Sequence, residues 1–225
     1  MISLARRLTA EAIGTAFLLT AIVGSGIMAE RLAGGNLAIA LLANTLATGA
    51  ALGALISTFG SISGAHFNPV ATLAIASQGG LAWREAPTYI SAQVGGAFIG
   101  VAAAHLMFGL PLFFVSHHAR AGGRQTFSEV VATFGLISVI LGCIRRRPAV
   151  ISFAVAAYIT AAYWFTASTS FANPAVTMAR AVSDTFAGIR PRDTPAFIGA
   201  QFLGAFLAAY LFRWLLPLSD KHESE

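Results

Sequence analysis

Charge is what this chain is shortest of: Asp, Glu, Lys and Arg make up 10% of its 225 residues, while hydrophobic residues make up 56%. Soluble domains carry about a quarter charged residues, so an ordinary water-surrounded fold is excluded and the chain reads as a polytopic membrane protein. Cysteine is nearly absent as well. Cys143 alone permits neither an intrachain disulfide nor a thiolate metal site, and its apolar surroundings make it a small buried hydrophobe. The apolar spans hold no paired catalytic acids, no metal-ligand cluster and no serine-lysine or serine-histidine arrangement with supporting context, so no enzyme, cofactor or metal is expected. The 14 basic residues outnumber the 9 acidic ones. They sit in short clusters between apolar runs, where they read as topology signals and not as a nucleic-acid surface.

About 20 apolar residues are needed to cross the hydrocarbon core, and six stretches meet that length: residues 8–28, 37–58, 87–108, 127–144, 149–165 and 195–216. Arg6-Arg7 ahead of the first could pass for the start of a secretory signal, but Glu11 recurs later as Glu129, so this span belongs to the fold. Arg6, Arg7, Arg84 and the Arg145-Arg146-Arg147 run place their flanks, and both termini, in the cytoplasm. Arg120, Arg124, Arg190 and Arg192 fall on the other side, so the bias is incomplete. The connection 109–125 is then extracytoplasmic, and His117-His118 within it reads as a solvated loop feature.

Asn68-Pro69-Val70 and Asn173-Pro174-Ala175 stand outside the spans and each opens an apolar run too short to cross a bilayer, closed by Gly79-Gly80 in the first case and Asp184 in the second. Asn is a favoured helix cap and Pro the favoured first helical residue, so each pair starts a half-helix. The residues after them run in parallel, as Asn-Pro-Val-Ala-Thr-Leu-Ala and Asn-Pro-Ala-Val-Thr-Met-Ala. The parallel extends further: residues 86–98 match 194–206 in register, including Gln93 with Gln201, and Glu11, Thr15 and Gly24 match Glu129, Thr133 and Gly142. The chain is therefore one domain over residues 1–225 with repeats near 8–110 and 126–217. Each repeat holds three spans, an odd number, so the two must lie in opposite orientations, with a pathway at their interface.

Two Asn-Pro half-helices in inverted repeats of three spans resemble the major intrinsic protein family of aquaporins and aquaglyceroporins. The resemblance covers nearly the whole chain, through Ser63-Gly64-Ala65-His66-Phe67-Asn68-Pro69, the Asn173 motif, and the Glu11/Glu129 and Gln93/Gln201 pairs. It implies an all-α, aquaporin-like membrane protein with six transmembrane helices and two re-entrant half-helices. A cap Asn spends its side-chain oxygen on the half-helix and keeps its NH2 for a solute, and the paired half-helix N-termini set a positive field against cations. Val70 departs from the usual Ala and is expected to add bulk near the lumen. Glu11 and Glu129 are costly intramembrane carboxylates; a proton relay would suit a transporter, and the resemblance favours bracing the half-helix loops, with His66 in the same role. As braces they should tolerate Gln, which keeps an acceptor oxygen.

In most members an arginine follows the second Asn-Pro-Ala and forms the narrowest ring with side chains from the second span, the fifth span and the half-helix loop. Here that position is Val176, and counting by register gives Thr48, Ala161 and Ser170 as its companions, all small. Arg180 lies one helical turn later, where packing or loop contacts are its expected role and reaching back towards the lumen is the alternative. The resemblance thus implies a passive channel, forming a homotetramer among membrane lipids in the bacterial inner membrane. It would carry small neutral solutes such as glycerol-like polyols, urea, arsenite, antimonite and methylated arsenicals, with some water. An ion-coupled secondary transporter and a water-selective aquaporin are the alternatives.

Overall fold

The computed structural model describes residues 2–216, so the last residue of the second repeat and the extreme ends assigned to the cytoplasm lie outside the described residues. Among them the protein is all helical: α1 (Leu4–Leu32), α2 (Leu37–Ser63), α3 (Pro69–Ser77), α4 (Ala86–Met107), α5 (Gly123–Arg146), α6 (Ile151–Phe165), α7 (Pro174–Arg180) and α8 (Thr194–Leu215). Counting the short 3-10 turns that lead into α4, α6 and α8, six of these elements are long and apolar enough to cross a membrane. Each expected span has its helix, though α6 begins two residues later than expected and α4 and α8 each stop one residue earlier. The largest extension at a single end is in α2, which continues to Ser63 because nothing breaks it before Gly64, whose φ of 91° ends the helix in the left-handed region.

The two shortest helices, α3 and α7, are the half-helices. In both the Asn is the cap and the Pro the first helical residue. The α3 helix runs out at the expected glycines, whereas α7 stops at Arg180, four residues before Asp184. The reason is distant in sequence: Ser116 N–H and Phe114 N–H donate to the carbonyls of Ala181 and Val182, so the connection between α4 and α5 claims the backbone that would have continued α7.

The halves pack alike. In the first, α1 lies against α2 and α4; in the second, α5 lies against α6 and α8; α2 meets α6 across the interface. Gly96 and Gly100 of α4 make the α1 contact possible, since a Cβ there would run into the carbonyl oxygens of Ala12 and Ala16. Gly204 of α8 has the same function against Val130 and Phe134 of α5. Such close approach supplies van der Waals contact where lipid offers no hydrophobic drive. Each half-helix touches both α4 and α8, so both are locked between the two halves and meet end to end at their N-termini.

Candidate functional site

Where α3 and α7 meet, the Asn68 side-chain NH2 donates to the Ala172 carbonyl at 2.8 Å, and the Asn173 NH2 donates to the Phe67 carbonyl, also at 2.8 Å. The side-chain oxygens face the other way. Asn68 Oδ1 accepts from Val70 N–H, and Asn173 Oδ1 accepts from Ala175 and Val176 N–H. A carboxamide nitrogen carries two hydrogens, so the crossed bonds use one from each Asn and leave one available, a refinement of the expected free NH2. Both residues line a narrow cavity of about 80 Å³. Asn68→Ala or Asn173→Ala is expected to cost about 1 kcal/mol of capping and to remove a bond between the half-helices. Solute flux in vesicles should fall in both variants, and full flux in both would remove the pair from the mechanism.

The loop before each half-helix supplies acceptors. Ala65 and Phe67 in the first, and Thr169, Ser170 and Ala172 in the second, have φ between 46° and 60°, unusual for residues with a Cβ. Such residues cost about 1–3 kcal/mol each and persist only where their surroundings impose them. Here the two buried glutamates do so. Glu11 Oε1 accepts from Ser63 Oγ (2.6 Å) and His66 N–H (2.9 Å), and Oε2 from Phe67 N–H and Gln93 Nε2 (both 2.8 Å). Glu129 repeats the pattern with Phe171 N–H (2.9 Å), Ala172 N–H (2.8 Å) and Gln201 Nε2 (2.7 Å). With the N–H groups held behind, the carbonyls of Gly64, Ala65 and His66, and of Ser170 and Phe171, take no donor among the described residues and belong to residues on the cavity wall.

His66 is on the wall too. The Thr72 hydroxyl donates to the Asn68 carbonyl, so its 3.1 Å contact with His66 Nδ1 makes that nitrogen the donor. The ring is thereby fixed to the start of α3. Among the described residues no group of three His, Cys, Asp or Glu side chains could hold a metal. His117 instead pairs with Asp184 through its backbone N–H (2.8 Å) and ring (3.1 Å). That N–H, more than the ring, holds the Asp184 carboxyl below its usual range.

The ring positions sort less simply. Thr48, Ser170 and Val176 lie on the cavity wall, but Ala161 does not; it is exposed on the outside of α6. Two residues along, roughly 200° around the helix, Tyr163 is buried on the wall and its hydroxyl stands 3.4 Å from Thr48 Oγ1. Tyr163, and not Ala161, is therefore the α6 residue on the wall beside Thr48. Val70 is corrected as well: it lines a second, apolar groove with Leu73 and Phe202 and adds no bulk to the lumen. Pro69, Pro174 and Ala175 are buried behind the wall.

Arg180 makes the expected packing and loop contacts and also reaches the cavity, with its guanidinium over the Phe171 ring at 3.5 Å from the centroid. Arg120 lies over the same ring at 5.0 Å and donates to the carbonyls of Gly188, Ser168 and Phe186 and to Thr169 Oγ1. Nothing local distinguishes Arg120 in the sequence. It comes from the connection between α4 and α5, and only the pinning of that connection brings it here, through Arg120 N–H to Asp193 (2.9 Å) and Arg190 N–H to the His118 carbonyl (2.9 Å).

Residues 1–151 match the family model described as "Major intrinsic protein". The chain is 54% identical over 213 residues to "Aquaglyceroporin AqpS" of Rhizobium meliloti (strain 1021), covering 95% of this chain and 91% of that one. It is 31% identical to "Probable aquaporin AqpM" of Archaeoglobus fulgidus, over 95% of this chain and 98% of that one. The X-ray structure of the aquaglyceroporin from Plasmodium falciparum superposes with a TM-score of 0.71, covering 96% of this chain and 98% of that chain, at 19% identity, a likeness of fold.

Proposed function

The chain belongs to the major intrinsic protein family of membrane channels, and from that premise we propose that it conducts small neutral solutes passively through the cavity between its half-helices. The observation that carries this reading is the crossed pair Asn68 and Asn173, each keeping one N–H beside a cavity whose other wall residues offer unpaired carbonyls. A solute that sheds water there exchanges it for one donor at each Asn and acceptors on either side. Cations meet the positive ends of α3 and α7 instead.

Glycerol-like polyols, urea, arsenite, antimonite and methylated arsenicals have the size and hydrogen bonding for this path, and some water accompanies them. The resemblance to an aquaglyceroporin supports solutes larger than water, and so does Val176, which offers only two methyl groups to the cavity. Tyr163 narrows the opposite side, so the passage is wider than a water-only pore on one face alone. The chain would form a homotetramer with one pore per subunit in a bacterial inner membrane, the Arg145–Arg147 run and both termini facing the cytoplasm.

An ion-coupled transporter would need Glu11 or Glu129 to bind and release a proton or cation. Glu11 already accepts four hydrogen bonds, two at each oxygen, so a proton there would face a donor. That favours the channel. Proteoliposomes carrying the full chain should pass water, glycerol, urea and arsenite down their gradients at rates indifferent to an imposed ion gradient. Accumulation against a solute gradient, or flux of water alone, would overturn the reading.

A further inference from the structure

We propose that Arg180 is the selectivity cation of this pore, which places charge discrimination one helical turn beyond the level where Val176, Thr48 and Tyr163 set its size. The inference rests on the channel reading and adds to it. Val176 and Arg180 are four residues apart on α7, hence on one face, and both line the same cavity. The separation along the axis is about 6 Å.

The guanidinium is held, and held from behind. Its face lies on Phe171, and Nε donates to the Ala187 carbonyl. Its two terminal nitrogens donate to nothing among the described residues, and neither is sealed from the cavity. Arg120 contributes a second buried cation against the same ring, with its nitrogens already spent on backbone carbonyls and Thr169. Among the described residues no carboxylate forms an ion pair with either arginine. Buried charges are ordinarily paired, so two unpaired guanidiniums give this end of the cavity a fixed positive field. The Arg180 fork suits adjacent oxygens on one neutral solute, as in vicinal diols and undissociated oxyacids. It repels cations before they reach the half-helix ends.

A bracing role would depend on the bond to Ala187; a selectivity role depends on the charge and its position. Full-length protein in proteoliposomes should separate them through sodium leak under an imposed potential and the ratio of glycerol to water flux. Arg180→Gln is expected to raise sodium leak per inserted channel about tenfold, and Arg180→Lys, which keeps the charge, to leave the leak low. Moving the guanidinium back one turn, in Val176→Arg with Arg180→Gln, should restore cation exclusion and reduce glycerol flux. An unchanged leak in Arg180→Gln, or equal leaks in Arg180→Gln and Arg180→Lys, overturns the assignment. Should Arg180→Gln fail to insert, Arg180→Lys decides: a glycerol-to-water ratio shifted about threefold or more with low leak supports the fork, and an unchanged ratio removes it. Wild-type protein that passes neither water nor glycerol sinks the channel reading itself, whatever the leak.

Discussion

Glu11→Gln should abolish most solute flux and lower stability by about 2–5 kcal/mol, although it exchanges one oxygen for a nitrogen. From the sequence, Gln looks tolerable because it keeps an acceptor. The geometry reverses that expectation, since Glu11 uses both oxygens and each accepts from two donors. An NH2 at Oε1 would face Ser63 Oγ and His66 N–H; at Oε2 it would face Phe67 N–H and Gln93 Nε2. At Oε1 the Ser63 hydroxyl can turn and accept, but either way a backbone N–H is left facing a donor inside the protein, and the bonds that remain lose their charge assistance. The left-handed residues Ala65 and Phe67 then lose their clamp, and the carbonyls on the wall lose their direction. Glu129 accepts three such bonds, one of them at Oε1, so Glu129→Gln should be milder. Melting in detergent and flux per inserted protein test the ordering, and a Glu11→Gln channel with wild-type melting and flux would refute the clamp.

What the sequence makes legible here is whatever local chemistry and repetition encode. Asn-Pro is a helix start by itself, and its recurrence with Glu11/Glu129 and Gln93/Gln201 ties the half-helices to particular partners from the residues alone. What it hides depends on rotation and on distant contacts. Ala161 and Tyr163 share a helix so evenly apolar that no periodicity says which faces inward, and a two-residue slip exchanges a methyl for a phenol on the wall. Val70 follows Asn68 directly, yet it faces a groove outside the lumen. The stop of α7 at Arg180 is written in residues 114–116, more than sixty positions earlier. Arg120 is hidden for the same reason, because its place beside Phe171 exists only once that connection is pinned.

Val176→Arg should reduce flux of glycerol, arsenite and bulkier neutral solutes about tenfold or more while water falls by less than about threefold. Val176 N–H is already held by Asn173 Oδ1 in the first turn of α7, so the backbone at 176 is fixed and only the side chain changes. A long planar cation would then project toward Tyr163 and Thr48 at the level where valine leaves room. It would also stand one turn from Arg180, and two guanidiniums on one face repel, so the new side chain is pushed into the lumen and away from the outer mouth. Narrowing should therefore outweigh any gain in hydrogen bonding, and solutes with the largest cross-section should lose most. Cation leak should change little, because Arg180 already supplies the field. If Arg180 and Tyr163 instead set the width, wild type and Val176→Arg, both correctly inserted, would pass large solutes at matched rates, and position 176 would have no part in selection by size.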